Sequence, residues 1–171
     1  MRDCYREYRE ASGKICQADS LLGELERHRK QNETIVFTNG CFDVLHRGHV
    51  EYLQFCRRQG DVVVVGLNSD RSVKTIKGPD RPINGQQDRA AILAALEAVD
   101  YVTIFDEPTP LSLIMKVRPD VLVKGEDWAQ KGVVGREFVE SYGGTVALAP
   151  LVAGRSSTST IEKIHSLEVE S

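Results

Sequence analysis

The chain has no Cys-x-x-Cys pair; Cys4, Cys16, Cys41 and Cys56 are scattered along it. That argues against structural zinc, which takes four ligands and usually brings paired cysteines. No apolar run approaches the ~20 residues needed to cross a bilayer, and Met1 to Glu10 is charged, without the apolar core of a signal peptide. A cytoplasmic protein with no membrane association is therefore expected, and unpaired thiols suit a reducing compartment. A Gly-x-x-x-x-Gly-Lys-Ser/Thr loop is absent, which disfavours a P-loop kinase. So is Gly-x-Gly-x-x-Gly after the first strand-like segment, which disfavours a dinucleotide dehydrogenase. No serine or cysteine lies in an elbow beside a base. Charge of one sign is also lacking: the net charge is -3 with both signs interspersed, so no nucleic-acid footprint is indicated. The expected partner is a small anionic molecule met by local positive charge.

What is present is an ordinary globular composition, 41% apolar and 27% charged over 171 residues, enough for one domain with a sizeable core. Met1 to about Lys14 reads as a loose lead-in. Leu21, Leu22, Leu25 and His28 have helical spacing, with Asp19 or Ser20 as cap, so residues 1–32 read as an extension carrying one helix and 33–171 as the main domain. Strand and helix signals then alternate. Strands are expected over 35–38, 61–67, 101–105, 121–124 and 145–149. Helices are expected over 48–59, 86–98, 108–117, 134–142 and 157–167, and a mobile loop over Ser72 to Gln87. Five short apolar strands separated by helices imply an α/β, Rossmann-like, doubly wound parallel five-stranded sheet with helices on both faces. Such sheets bind ligands beyond the carboxyl ends of their strands, where the strand order switches.

The run Phe37-Thr38-Asn39-Gly40-Cys41-Phe42-Asp43-Val44-Leu45-His46-Arg47-Gly48-His49 lies at such an end. Two imidazoles three residues apart stand where a strand hands over to a helix N-terminus, with backbone N–H groups and a positive dipole end aimed at an anion. A helix cap plus a surface histidine would give the same spacing. Three other clusters fall at strand ends: Asn68-Ser69-Asp70 with Lys74 and Lys77 to Pro82; Lys124-Gly125-Glu126-Asp127-Trp128; and Gly154-Arg155-Ser156-Ser157-Thr158, which opens the last helix. Singly these read as caps and solvated turns. Together, imidazoles, lysines, an arginine and helix-start hydroxyls describe a polyphosphate cradle.

Gly40-Cys41-Phe42-Asp43 through His46-x-Gly48-His49 resembles the signature of the nucleotidyltransferase superfamily, and Gly154-Arg155-Ser156-Ser157-Thr158 its second, Ser/Thr-rich signature. Within it the chain is most similar to heptose 1-phosphate adenylyltransferases, through Phe37 to Gly40, Leu67-Asn68-Ser69-Asp70, Lys77-Gly78 to Arg81-Pro82, Ala95 to Asp100 and Leu122-Val123-Lys124-Gly125. The likeness runs from about Leu21 to Ile164 and does not include the sugar-kinase domain often fused to this module. Arg155 stands where related sequences often carry an apolar residue or cysteine.

The resemblance implies that ATP and a sugar 1-phosphate give a nucleoside-diphosphate sugar and pyrophosphate without a covalent intermediate. It implies His46, His49 and Lys77 as catalytic residues. The nucleotide is expected at Asn39, Gly40, Cys41, Phe42, Asp43, His46, His49, Lys124, Gly125, Glu126, Asp127, Ser156, Ser157 and Thr158. The sugar phosphate is expected at Lys77, Arg81 and Arg89. Asp43 is expected either to orient a histidine or a metal water, or to cap its turn. Mg²⁺ is expected on the phosphates, with no dedicated protein site, and a homodimer is a further expectation. A cytidylyltransferase for an alcohol phosphate and a catalytically silent nucleotide-binding module are the alternatives.

Overall fold

Side-chain alternation at period two builds the sheet. In β1 (Ile35–Gly40), Ile35 and Phe37 enter one core layer and Val36 the other; in β2 (Val62–Asn68), Val62 and Val64 oppose Val63 and Val65. β3 (Tyr101–Phe105), β4 (Val121–Gly125) and β5 (Thr145–Ala149) complete a parallel sheet in the order β3-β2-β1-β4-β5. This computed structural model describes residues 9–152, 154 and 156–168.

One face is covered by α1 (Ala18–Lys30), α5 (Leu111–Val117) and α6 (Arg136–Ser141), which bury Leu21, Leu25, Ile114, Val117 and Val139. The other is covered by α2 (Arg47–Arg58) and α4 (Gln86–Ala95), through Leu53, Cys56, Ala90, Leu93 and Ala94. Two further helices, α3 (Asp70–Lys77) and α7 (Ser157–Glu168), stand at the carboxyl ends of the strands. The N-terminal segment belongs to the same core. Leu21 and Leu25 are fully buried, and Ile15 bridges Val102 in parallel, with the Cys16 N–H donating to the Val102 carbonyl at 2.9 Å, so the edge of β3 is covered. Among the described residues no helix is long and apolar enough to cross a membrane.

The strand order reverses between β1 and β4. Their ladder has two pairs, Val36↔Val121 and Phe37↔Leu122, whereas β1 pairs with β2 along its whole length. Beyond Phe37 the two strands part, and the crevice this opens is the switch point. Tyr52 of α2 is wedged there: its hydroxyl hydrogen-bonds the Thr38 hydroxyl at 2.6 Å and donates to the Val123 carbonyl at 3.1 Å.

Several expected boundaries move. The segment read as a mobile loop from Ser72 is helical through Lys77, because Ser69 caps α3 by accepting the Ser72 N–H and Val73 is fully buried. The helix expected over 108–117 starts later: Pro108 and Pro110 precede α5, with Pro110 at the cap position. Gln17, rather than Asp19 or Ser20, precedes α1. Of the lead-in, Ala11–Lys14 forms a short 3-10 turn, and residues 1–8 lie outside the described residues, as does Cys4.

Candidate active site

β1 ends in a tight turn. Phe42 sits in the left-handed region at φ 45°, and a Cβ on Gly40 would come within 3.1 Å of the Phe42 ring. The turn delivers the chain to α2, where His46 is the cap. Its Nδ1 accepts the Gly48 N–H at 3.1 Å, and its own N–H donates to His49 Nδ1 at 3.3 Å. The rings stack with centroids 4.0 Å apart, and Phe42 packs on His49 at 5.4 Å. Because both Nδ1 atoms accept, each neutral ring is assigned its proton on Nε2. Burial, and then the neighbouring His46, depress the His49 pKa to about 4. The pair is thus two neutral donors held by the backbone.

These histidines line a cavity of about 560 Å³. Asn39, Gly40, Cys41, Phe42 and Asp43 of the same turn also line it. Lys124 and Gly125 join from β4 and Asp127 from the turn after it, Ser156, Ser157 and Thr158 from the start of α7, and Lys77 and Arg81 from the α3 side. Sequence-distant clusters therefore converge as the strand-end argument requires. Lys124 is 6% exposed; its Nζ donates to the Asn39 carbonyl at 3.4 Å and lies 5.2 Å from the Trp128 ring. Burial lowers its pKa to about 8, with Asp127 and Cys41 pulling the other way. Asn39 Oδ1 is buried without a hydrogen-bond partner in the protein, an acceptor open to a ligand's donor. At Gly125 a Cβ would come 2.5 Å from Asp127 Oδ1, so a larger residue there would displace the Asp127 carboxylate. Ser156 caps α7 by accepting the Ser159 N–H at 3.0 Å, and Ser157 donates to the Val44 carbonyl at 3.2 Å, tying α7 to the histidine turn.

Three expected site residues take other roles. Arg89 is 1% exposed and does not line the cavity: its guanidinium is spent on the carbonyls of Cys41 and Asn84 and on Asp70. Glu126 turns away to accept the Leu151 N–H at 2.9 Å. Asp43 neither orients a histidine nor caps its own turn, since its carboxylate accepts from Arg81 and from the N–H groups of Ile83 and Asn84. Burial acts to raise the Asp43 pKa, but these backbone donors and Arg81 outweigh it and hold the carboxyl below its ordinary value. Arg155 lies outside the described residues. The sequence reading missed Tyr52, Asn68, Thr109 and Trp128, which also line the cavity. Asn68 and Trp128 stood within quoted strand-end clusters, whereas nothing local distinguishes Tyr52 from a core aromatic of α2.

A family model described as cytidylyltransferase-like matches residues 37–163. The bifunctional protein HldE of Syntrophotalea carbinolica is 57% identical over 155 residues, covering 91% of this chain and 32% of that protein. Its namesake in Methylobacillus flagellatus is 55% identical over 153 residues, covering 90% and 31%. The chain thus spans about a third of the length of these curated relatives. Among solved structures, the lipopolysaccharide core biosynthesis protein from Thermoplasma volcanium GSS1 superposes with a TM-score of 0.56 at 27% identity, covering 70% of this chain and 97% of that one. A pantoate-beta-alanine ligase from Francisella tularensis, solved with beta-gamma ATP and beta-alanine, gives a TM-score of 0.58 at 16% identity over 84% and 68%, a likeness of fold alone.

Proposed function

Because the chain belongs to the cytidylyltransferase-like family, we propose that it is an adenylyltransferase, condensing ATP with a sugar 1-phosphate, heptose 1-phosphate first among acceptors, to give an ADP-sugar and pyrophosphate. One observation carries the reading: two neutral histidines, locked by the backbone as Nε2 donors, share a cavity with Lys77, Arg81, Lys124 and the hydroxyl-rich start of α7. The acceptor choice rests on the sequence resemblance, with support from the high identity to proteins named HldE and from a relative named for lipopolysaccharide core biosynthesis.

In this reaction an oxygen of the acceptor phosphate attacks the α-phosphorus of ATP in line, and the bond from that phosphorus to the β-phosphate oxygen breaks. The enzyme contributes alignment and charge stabilisation. His46 and His49 donate to triphosphate oxygens that gain charge as pyrophosphate leaves. Fixed neutral donors need no reorganisation at that moment. Lys77 and Arg81 offset the repulsion between the two phosphorylated reactants, and Lys124 with Thr158 holds the nucleotide's phosphates. Asp43 is committed to Arg81. Mg²⁺ is proposed to enter as part of the substrate, on the phosphates, and no step is assigned to it. The described cysteines, Cys16, Cys41 and Cys56, are free thiols, which suits a cytoplasmic enzyme.

A pyrophosphate-release screen tests the proposal, with ATP and CTP each offered heptose 1-phosphates, hexose 1-phosphates and glycerol 3-phosphate. Release with ATP and a heptose 1-phosphate is expected. Release with CTP and glycerol 3-phosphate alone would replace it with the cytidylyltransferase reading, and tight ATP binding without release on any acceptor with the silent module.

A further inference from the structure

Asp43 sits in the histidine turn, yet its hydrogen bonds all go elsewhere. Through Oδ1 the carboxylate accepts the N–H groups of Ile83 and Asn84 at 3.0 and 3.1 Å, and through Oδ2 it accepts Arg81 Nε at 2.6 Å and shares the Ile83 N–H at 2.9 Å. It is 2% exposed. A second clamp lies beside it. Arg89 reaches the Cys41 carbonyl at 2.6 Å, the Asn84 carbonyl at 3.0 Å and Asp70 Oδ1 at 2.8 Å. Asp70 opens α3, and Lys77 closes it. Each clamp thus touches both the turn that carries the histidines and the segment that carries Lys77 and Arg81. The two halves of the cavity are otherwise far apart in the chain.

We propose that Asp43 and Arg89 are positioning residues that hold the acceptor-phosphate ligands Lys77 and Arg81 in register with the His46–His49 pair. The naming of the two anions rests on the adenylyltransfer reading; the clamp itself does not. In-line transfer requires the acceptor phosphate and the leaving group on opposite sides of the reacting phosphorus. A displacement of about 1 Å between their binding groups costs on the order of 10²-fold in rate. A buried charge pair spanning the two halves holds that spacing where a surface loop would let it drift. Asp43 holds the loop backbone through Oδ1 and the Arg81 side chain through Oδ2, with the Ile83 N–H shared between the two oxygens, so the Arg81 grip can be released while Oδ1 still holds the backbone.

Asp43→Asn keeps Oδ1 for the two backbone N–H groups, gives up the second Ile83 contact and turns an NH₂ donor toward the Arg81 Nε donor; Asp43→Ala releases all of them. In steady-state assays, Asp43→Asn is expected to raise the acceptor KM about tenfold, the scale of one lost charge-assisted hydrogen bond, and to leave the ATP KM within about twofold. A second readout needs no acceptor: limited trypsin digestion, followed by mass spectrometry at the Lys77–Gly78 bond. Asp43→Ala is expected to be cut there faster than wild type, and Asp43→Asn at the wild-type rate. Where Asp43→Ala gives no cooperative melt, Arg89→Lys replaces it, since one ammonium nitrogen cannot stand where Nε, Nη1 and Nη2 reach three separate acceptors. The proposal is overturned if the two KM values move together in Asp43→Asn, or if neither loosened variant is cut faster at Lys77. Wild-type protein that releases no pyrophosphate with any sugar 1-phosphate would sink the reaction reading instead, and the trypsin series would then decide the clamp.

Discussion

At His46 and His49 the Nδ1 atoms take backbone N–H groups, so helix cap and functional donor are one arrangement. The cap fixes ring and tautomer and leaves Nε2 as the donor. His46→Asn keeps a capping acceptor and removes that donor, so turnover is expected to fall on the order of 10²-fold with the thermal midpoint close to wild type; near-normal turnover would undo the assignment. His49→Ala is expected to lose as much. The buried His49 ring is expected to titrate near pH 4, which a ¹H–¹⁵N NMR titration of the ligand-free protein reads directly; a midpoint near 6.5 would contradict its burial. Lys124 has its pKa lowered to about 8 and loses its charge as pH rises through that value. The kcat/KM for ATP is therefore expected to decline above about pH 8. Lys124→Arg, charged throughout, moves that decline to higher pH, and an unmoved profile would remove Lys124 from the phosphate site. Local spacing announced the histidines. Nothing local distinguished Arg89 as a buried clamp, because an arginine's role depends on which acceptors the fold brings to it.

Among the elements, α7 and α2 illustrate what pattern reading recovers and where it stops. Ser156, expected among the nucleotide ligands, lines the cavity and also caps α7. Ser156→Ala is expected to cost about 1 kcal/mol of stability and to affect turnover far less than Lys77→Ala. Thermal melts and initial rates on the two variants check the contrast, and equal rate losses would redraw the phosphate map. The apolar runs of β1 and β2 were legible because both faces are buried, and β3 and β5 emerged at their expected bounds. The beginning of α3 was not legible. Its polar, lysine-bearing sequence resembles a solvated loop until Ser69 caps it and Val73 finds the core.

In the whole molecule, the carboxyl ends of β1 and β4 face a crevice that no single segment encodes. Tyr52 helps to hold it open, and the covered β3 edge shows how far the N-terminal segment takes part in the fold. Removing residues through Lys30 would uncover that edge and delete the fully buried Leu21 and Leu25, each worth about 2–5 kcal/mol as a buried leucine. A sharply lowered melting midpoint or aggregation is expected, and a melt unchanged from full length would show the segment to be dispensable. The sequence by itself determined the strands, most helices, the parallel α/β class and the histidine turn, because apolar period and glycine-bounded turns act over a few residues. It also determined the family, through motifs that keep their order and spacing. Only the tertiary structure decided that Asp43 and Arg89 join the two halves of the site, that Glu126 faces away from it, and that Tyr52 wedges the switch point. Those roles depend on which distant carbonyls, carboxylates and N–H groups the folded sheet brings within hydrogen-bonding reach, and no local pattern records that.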